Sequence, residues 1–431
     1  MRLSVPDRRI LRLAVPALGA LAIDPLLTLI DTSFVARVGV TELAALGVDA
    51  AILSFAFFGF NFLAYATTPL VGHALGRGDP PGARRIVGDA LILAVGIGAL
   101  ASLTLILLAP LFVELMGASD AATGPAIDYL RIRALATPAV LVVTTGHGAF
   151  RGHQDTRTPL VVAAGVNAIN LVLDPILIFV LDWGLQGAAI ATVVAQLIGA
   201  IWFLRLLRRR KMAARPTGMR SSLPTLLDLG KSGSLITART ALLLLAFTVA
   251  ASRAARLGDA EIAAYQVVFQ VWILSIMLTD AFAIAGQALI AESAGRRDHE
   301  GTNQTSRRLL GWGLATGIGL AALFLLASPA MRWLVADDAT GALVTEAGRV
   351  AGAWMPIAAP VFIADGIFLG LLAFGTLVAS TGAGAMVAIG LVLATPLGDS
   401  LTGIWWALGA MMVARGIVFV WVYPRAVAVR S

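Results

Sequence analysis

The stretch that decides the fold is residues 10–36, ILRLAVPALGALAIDPLLTLIDTSFVA. As a helix rising ~1.5 Å per residue it reaches roughly 40 Å, enough to cross a bilayer. It also carries Pro16, Asp24, Pro25 and Asp31, which a plain membrane span would lack. A carboxylate in hydrocarbon costs at least a few kcal/mol, so an intramembrane acid is a functional-site hypothesis by default.

The rest of the chain fits that reading. Of 431 residues, 58% are hydrophobic and 13% charged, where a soluble domain carries about 25% charge. The apolar residues are therefore spread over membrane spans. Forty-four glycines suit close helix approach in lipid. There is no cysteine, which excludes disulfides, thiolate metal sites and cysteine nucleophiles. No cofactor and no metal site is expected, and the first span lacks the cleavage site of a signal peptide. The net charge of +7 lies in short loops between apolar runs, so it reads as topology and not as a nucleic-acid surface.

The expected fold is an all-α integral membrane protein of twelve transmembrane helices. The spans run from Ile10–Ala36 through Ala44–Gly72, Tyr129–Phe150, Pro159–Leu181 and Ala260–Ser293 to Leu401–Tyr423. Basic loops (Arg8, Arg9; Arg84, Arg85; Arg208–Lys211; Arg296, Arg297) alternate with acidic ones (Glu114, Asp120; Asp182; Asp337, Asp338; Asp399). The positive-inside rule then puts both termini in the cytoplasm.

The chain is also a repeat. ARVGVTELAALGV (36–48) aligns with ARLGDAEIAAYQV (255–267) at an offset of 219, with seven of thirteen positions identical. Gly76, Arg77 and Asp79 fall on Gly295, Arg296 and Asp298; at an offset of 218, Pro138, Gly148 and Gly152 fall on Pro356, Gly366 and Gly370. The expected organisation is a six-helix lobe (1–207), a basic cytoplasmic linker (208–228) and a second six-helix lobe (229–431). These are parallel repeats around a central cleft, an architecture that works by moving one half against the other.

The intramembrane polar residues give the chemistry. Helix rise puts Asp31 and Asp174 at similar depth in the outer half of the bilayer. Asn170 precedes Asp174 by four residues and Asn167 extends the same face, so this helix side faces a cavity. Such carboxyls can take up a proton on one side and release it on the other, biasing two helix arrangements. Asp31, Asn170 and Asp174 are the expected proton-coupling site. Asp24, on nearly the same face as Asp31, reads either as a further proton or cation stop or as an acid satisfying a proline kink. Pro16 and Pro25 make the helix bendable, as a gate or hinge requires. Asp280 and Asp365 are candidates for an ion or substrate site; alternatively they pair with each other or with Arg415. Met277, Trp354 and Met355 read as a substrate wall or as packing. Asp365 falls on His147 and Asp31 on Ala250, so the acids do not follow the repeat.

LIDTSFVARVG in the first span, GAFRGHQDTRTPL after the fourth and NLVLDPILIF in the fifth resemble the multidrug and toxic compound extrusion (MATE) family, and its DinF branch most. The resemblance implies secondary-active efflux of amphipathic, cationic compounds in exchange for H+ or Na+. It implies Asp31 as the coupling acid, Asn170 and Asp174 as its fifth-span partners, and Pro16 as the proline that bends. The seventh span, Ser232–Ala251, lacks the glutamate of the NorM branch, which favours H+ over Na+. A lipid-precursor flippase of the same superfamily is the rival, and would show more spans and cavity arginines. No cluster suggests an enzyme. The expected partners are amphipathic small molecules and the bilayer of a bacterial or archaeal plasma membrane, with the protein a monomer.

Overall fold

A computed structural model describes residues 4–214, 219–335 and 337–430; within these, the side chains of residues 24, 55, 57, 58, 219–222, 429 and 430 are excepted. All regular structure among the described residues is helical. In chain order the helices are α1 (Val5–Ala36), α2 (Val40–Phe58), α3 (Phe62–Gly76), α4 (Pro80–Leu107), α5 (Ala109–Leu115), α6 (Asp120–Ala134), α7 (Thr137–Gly152), α8 (Arg157–Pro175) and α9 (Gly184–Arg209). They continue with α10 (Met219–Leu257), α11 (Asp259–Gly295), α12 (His299–Met331), α13 (Asp338–Ala353), α14 (Met355–Gly370), α15 (Phe374–Ala394) and α16 (Leu401–Arg430).

Ten helical segments are long and apolar enough to cross a membrane, and an eleventh span is the pair α13–α14, bent by 56° at Trp354. That gives ten or eleven crossings among the described residues, close to the expected twelve; α6–α7, the repeat counterpart of α13–α14, is broken at the equivalent place. Large apolar side chains such as Leu100 (66% exposed) and Leu326 (82% exposed) point outward, as lipid-facing positions do. With no water in hydrocarbon, only closed backbone hydrogen bonding is tolerated there.

The chain divides into two compact units, one of residues 19–233 and one of residues 1–18 with 234–431. This division differs from the expected boundaries at the N-terminus, and the expected linker is largely helical. The first eighteen residues belong with the C-terminal unit, where Arg9 pairs with Glu292 (2.9 Å) and Asp7 accepts from the Trp312 indole N–H (3.1 Å). Much of the expected linker is helix: α9 runs to Arg209 and α10 begins at Met219.

The repeat is visible in the backbone. Asp79 caps α4 by accepting from the Gly82 N–H (2.9 Å), and Asp298 caps α12 by accepting from the Gly301 N–H (2.8 Å), at an offset of 219. The turns before them take positive φ at Gly78 (73°) and Arg297 (58°). Gln154 (58°) and Leu372 (56°) repeat at an offset of 218. Gly98 and Gly317 lie against the start of α7 and α14. A Cβ at Gly98 would lie 2.6 Å from Pro138 Cα, and one at Gly317 2.8 Å from Pro356 Cα.

Candidate functional site

The N-terminal unit gathers its polar groups where α1, α2, α6, α8 and α9 meet. Asn170 and Asp174 are one turn apart on α8 and both buried. The Asn170 amide donates to Asp174 Oδ1 (3.3 Å) and to Thr192 Oγ1 on α9 (3.5 Å). Asp31, on α1, places its carboxyl beside that of Asp174, with Asp31 Oδ1 buried and without a hydrogen-bond partner. Two carboxyls bond only when one carries a proton, since an ionised carboxylate only accepts.

The local sequence explains the placement. Asp174 is followed by Pro175, which has no N–H to donate, and the helix then widens into a π turn over Ile176–Val180. The Leu181 N–H bonds the Ile176 carbonyl (2.9 Å), five residues back. Such turns free a backbone position and recur at functional sites. Asn167, half-buried one turn before Asn170, donates to the Ala163 carbonyl of its own helix (3.0 Å). The Asp24 side chain lies outside the described residues. α1 is continuous through Pro16 and Pro25.

Two charged residues join the site without having been singled out from the sequence. Asp49, on α2, is fully buried, and neither of its oxygens has a hydrogen-bond donor. Arg133, near the end of α6, lies within electrostatic reach of Asp31, Asp49, Tyr129 and Asp174. Asp49 is an acid inside an apolar run and was legible by the rule that singled out Asp31. Arg133 lies close to a span end, where arginines usually reach water.

In the C-terminal unit, Asp365 takes the alternative open to it. Arg415 Nη2 donates to both of its oxygens (2.7 Å each), and Arg239 forms a short ion pair with Oδ2. Arg415 is fully buried, its guanidinium 5.5 Å from the Phe362 ring centroid and 5.9 Å from that of Phe419. Two guanidinium groups on one carboxylate leave a net positive charge, the reverse of a cation site. Asp280 is half-buried on α11 and keeps an interaction of its own. Met355 is buried, and Trp354 packs edge-on against Trp406 (5.2 Å). His147, the repeat partner of Asp365, packs against Phe203 (5.2 Å) inside α7, with Nε2 unpaired. It lies within α7, five residues before its end. No group of three or more acids or histidines suited to a metal occurs among the described residues.

The fold is that of a multi-pass membrane protein with a buried polar cluster, and sequence comparison gives its family, one of transporters. The chain belongs to the MatE family, whose model matches residues 16–176 and 236–394, one match per repeat. It is 34% identical to Protein DETOXIFICATION 44, chloroplastic, of Arabidopsis thaliana, over 96% of this chain and 81% of that one. It is 32% identical to DNA damage-inducible protein F of Escherichia coli, over 69% of this chain and 65% of that one. Among solved structures, MATE in the bent conformation aligns with a TM-score of 0.88 at 21% identity, covering 99% of this chain and 96% of that one. A MOP superfamily transporter from Pyrococcus furiosus, whose description reports a binding pocket of reverse polarity, aligns with a TM-score of 0.87 at 21% identity, covering 99% and 97%.

Proposed function

We propose that this chain is a secondary-active antiporter that exports amphipathic compounds in exchange for H+ by alternating access. The observation that carries the reading is the carboxyl–carboxyl contact of Asp31 with Asp174, braced by Asn170 and Thr192. Loss of the shared proton turns an attraction between α1 and α8 into a repulsion between two anions. Proton binding therefore biases helix arrangement, and the membrane potential adds about 2.3 kcal/mol per charge per 100 mV. Pro16 and Pro25 are the proposed hinge positions of α1.

Asp365 is committed to two arginines, which weighs against it as the counter-charge of a cationic substrate. The proposed setting is a bacterial or archaeal plasma membrane, with both termini cytoplasmic and the protein a monomer. The test is direct: protein reconstituted with an internal pH dye should move protons when an amphipathic dye is added, and Asp31→Asn should abolish that movement while still binding the dye. Proton movement by Asp31→Asn at the wild-type rate contradicts the assignment.

A further inference from the structure

The N-terminal site holds one permanent cation among three acids, and no step above uses it. α2 packs on α6 through Ala45, Ile52 and Leu53 against Ala126, Tyr129, Leu130 and Ala134. Asp49 lies one turn after Ala45 and one before Leu53, so it faces α6. Tyr129 and Arg133 lie one turn apart on α6 and point back toward it. Arg131, between them in sequence, turns away to the Ile106 carbonyl (3.4 Å).

Among the described residues, the charged and titratable groups within electrostatic reach of Arg133 are Asp31 from α1, Asp49 from α2, Tyr129 from its own helix and Asp174 from α8. Asp31 and Asp174 are engaged with one another. Asp49 has two buried oxygens without a donor, and Arg133 has a buried Nη1 without an acceptor. The site thus contains an unspent cationic donor beside an unspent carboxyl. A buried charge persists only when compensated, and here the compensation is supplied from inside the protein.

We propose that Arg133 is the resident counter-cation of this site and makes it selective for H+ over Na+. The inference rests on the reading that the Asp31–Asp174 site is proton-coupled. When that pair loses its proton, Arg133 supplies the opposing charge. A proton adds to a carboxyl and removes a charge without needing space. A hard metal cation needs a shell of free oxygen ligands, and here it would enter beside a guanidinium that repels it and competes for the same oxygens. Arginine suits the role because it stays charged at every physiological pH.

The experiment compares wild type, Arg133→Gln, Arg133→Lys, Asp49→Asn and the double variant Arg133→Gln/Asp49→Asn. Two readouts are taken: thermal stability in detergent with NaCl against choline chloride at constant ionic strength, and dye efflux from proteoliposomes under a pH or a Na+ gradient alone. Wild type, Arg133→Lys and Asp49→Asn should show no Na+-specific stabilisation and no Na+-driven efflux. Arg133→Gln and the double variant should gain both, with Na+ bound at least tenfold more tightly than by wild type. The double variant removes the uncompensated Asp49 carboxyl, so it carries the test if Arg133→Gln does not fold. Indifference to Na+ in whichever of the two folds overturns the inference, with wild-type efflux still driven by pH. Wild-type efflux driven by Na+ and not by pH overturns the proton-coupled reading itself.

Discussion

At Asp365 one carboxylate answers two guanidinium groups in a site where Arg415 is wholly buried. Removing one partner of a buried ion pair leaves an uncompensated charge, at a cost of about 3–5 kcal/mol. Asp365→Ala should therefore lower the thermal midpoint strongly, as read by tryptophan fluorescence in detergent, and Asp365→Ala/Arg415→Met should recover part of the loss. A second residue-scale expectation concerns Asp155, in the loop before α8. Burial works to raise its pKa. Hydrogen bonds from the Thr158 hydroxyl (2.6 Å) and N–H (2.9 Å), with Arg210 (2.7 Å), outweigh it and hold the carboxyl below its ordinary range. A folded-state pKa below the unfolded value of about 3.9 gives stability that is complete above that pH and lost as pH falls through the folded value. Asp155→Asn should thus lower stability at pH 7, and the gap should close as pH falls through the folded-state pKa. A gap independent of pH in the melting curves would contradict this.

At the scale of elements, the broken helices α6–α7 and α13–α14 are braced by glycines of α4 and α12. Overpacking a tight contact costs about 1–3 kcal/mol. Gly98→Val and Gly317→Val should each lower stability by that amount, to similar extents, because the repeat places the same Pro-starting helix against each. Measuring both by detergent melting checks the symmetry; destabilisation at one site alone would refute it. This repeat was legible in the sequence because turns and caps depend on a few residue types: Asp79 and Asp298 cap, and Gly39 and Gly258 precede matching glutamates. The pairing of Asp31 with the Asn170–Asp174 face was also legible, because depth follows from counting helix rise. Arg133 and Asp49 were not singled out. Asp49 was open to the same rule as Asp31, whereas Arg133, near a span end, looks solvated until the packing of α2 on α6 is known. The membership of residues 1–18 in the C-terminal unit was hidden too, since it depends on long-range contacts such as Arg9 with Glu292 and not on any local pattern.

For the whole molecule, the two repeats share a scaffold and differ in charge. The N-terminal unit concentrates acids around one arginine; the C-terminal unit places two arginines on one acid. The proposed proton exchange accordingly falls in the first unit, while the second holds an ion-paired Asp365. The central claim is that Asp31 couples export to the proton gradient. The most direct measurement is dye efflux from proteoliposomes under a pH gradient alone, comparing wild type with Asp31→Asn. Wild type should show pH-driven efflux and the variant should lose it; equal efflux by both proteins would contradict coupling through Asp31.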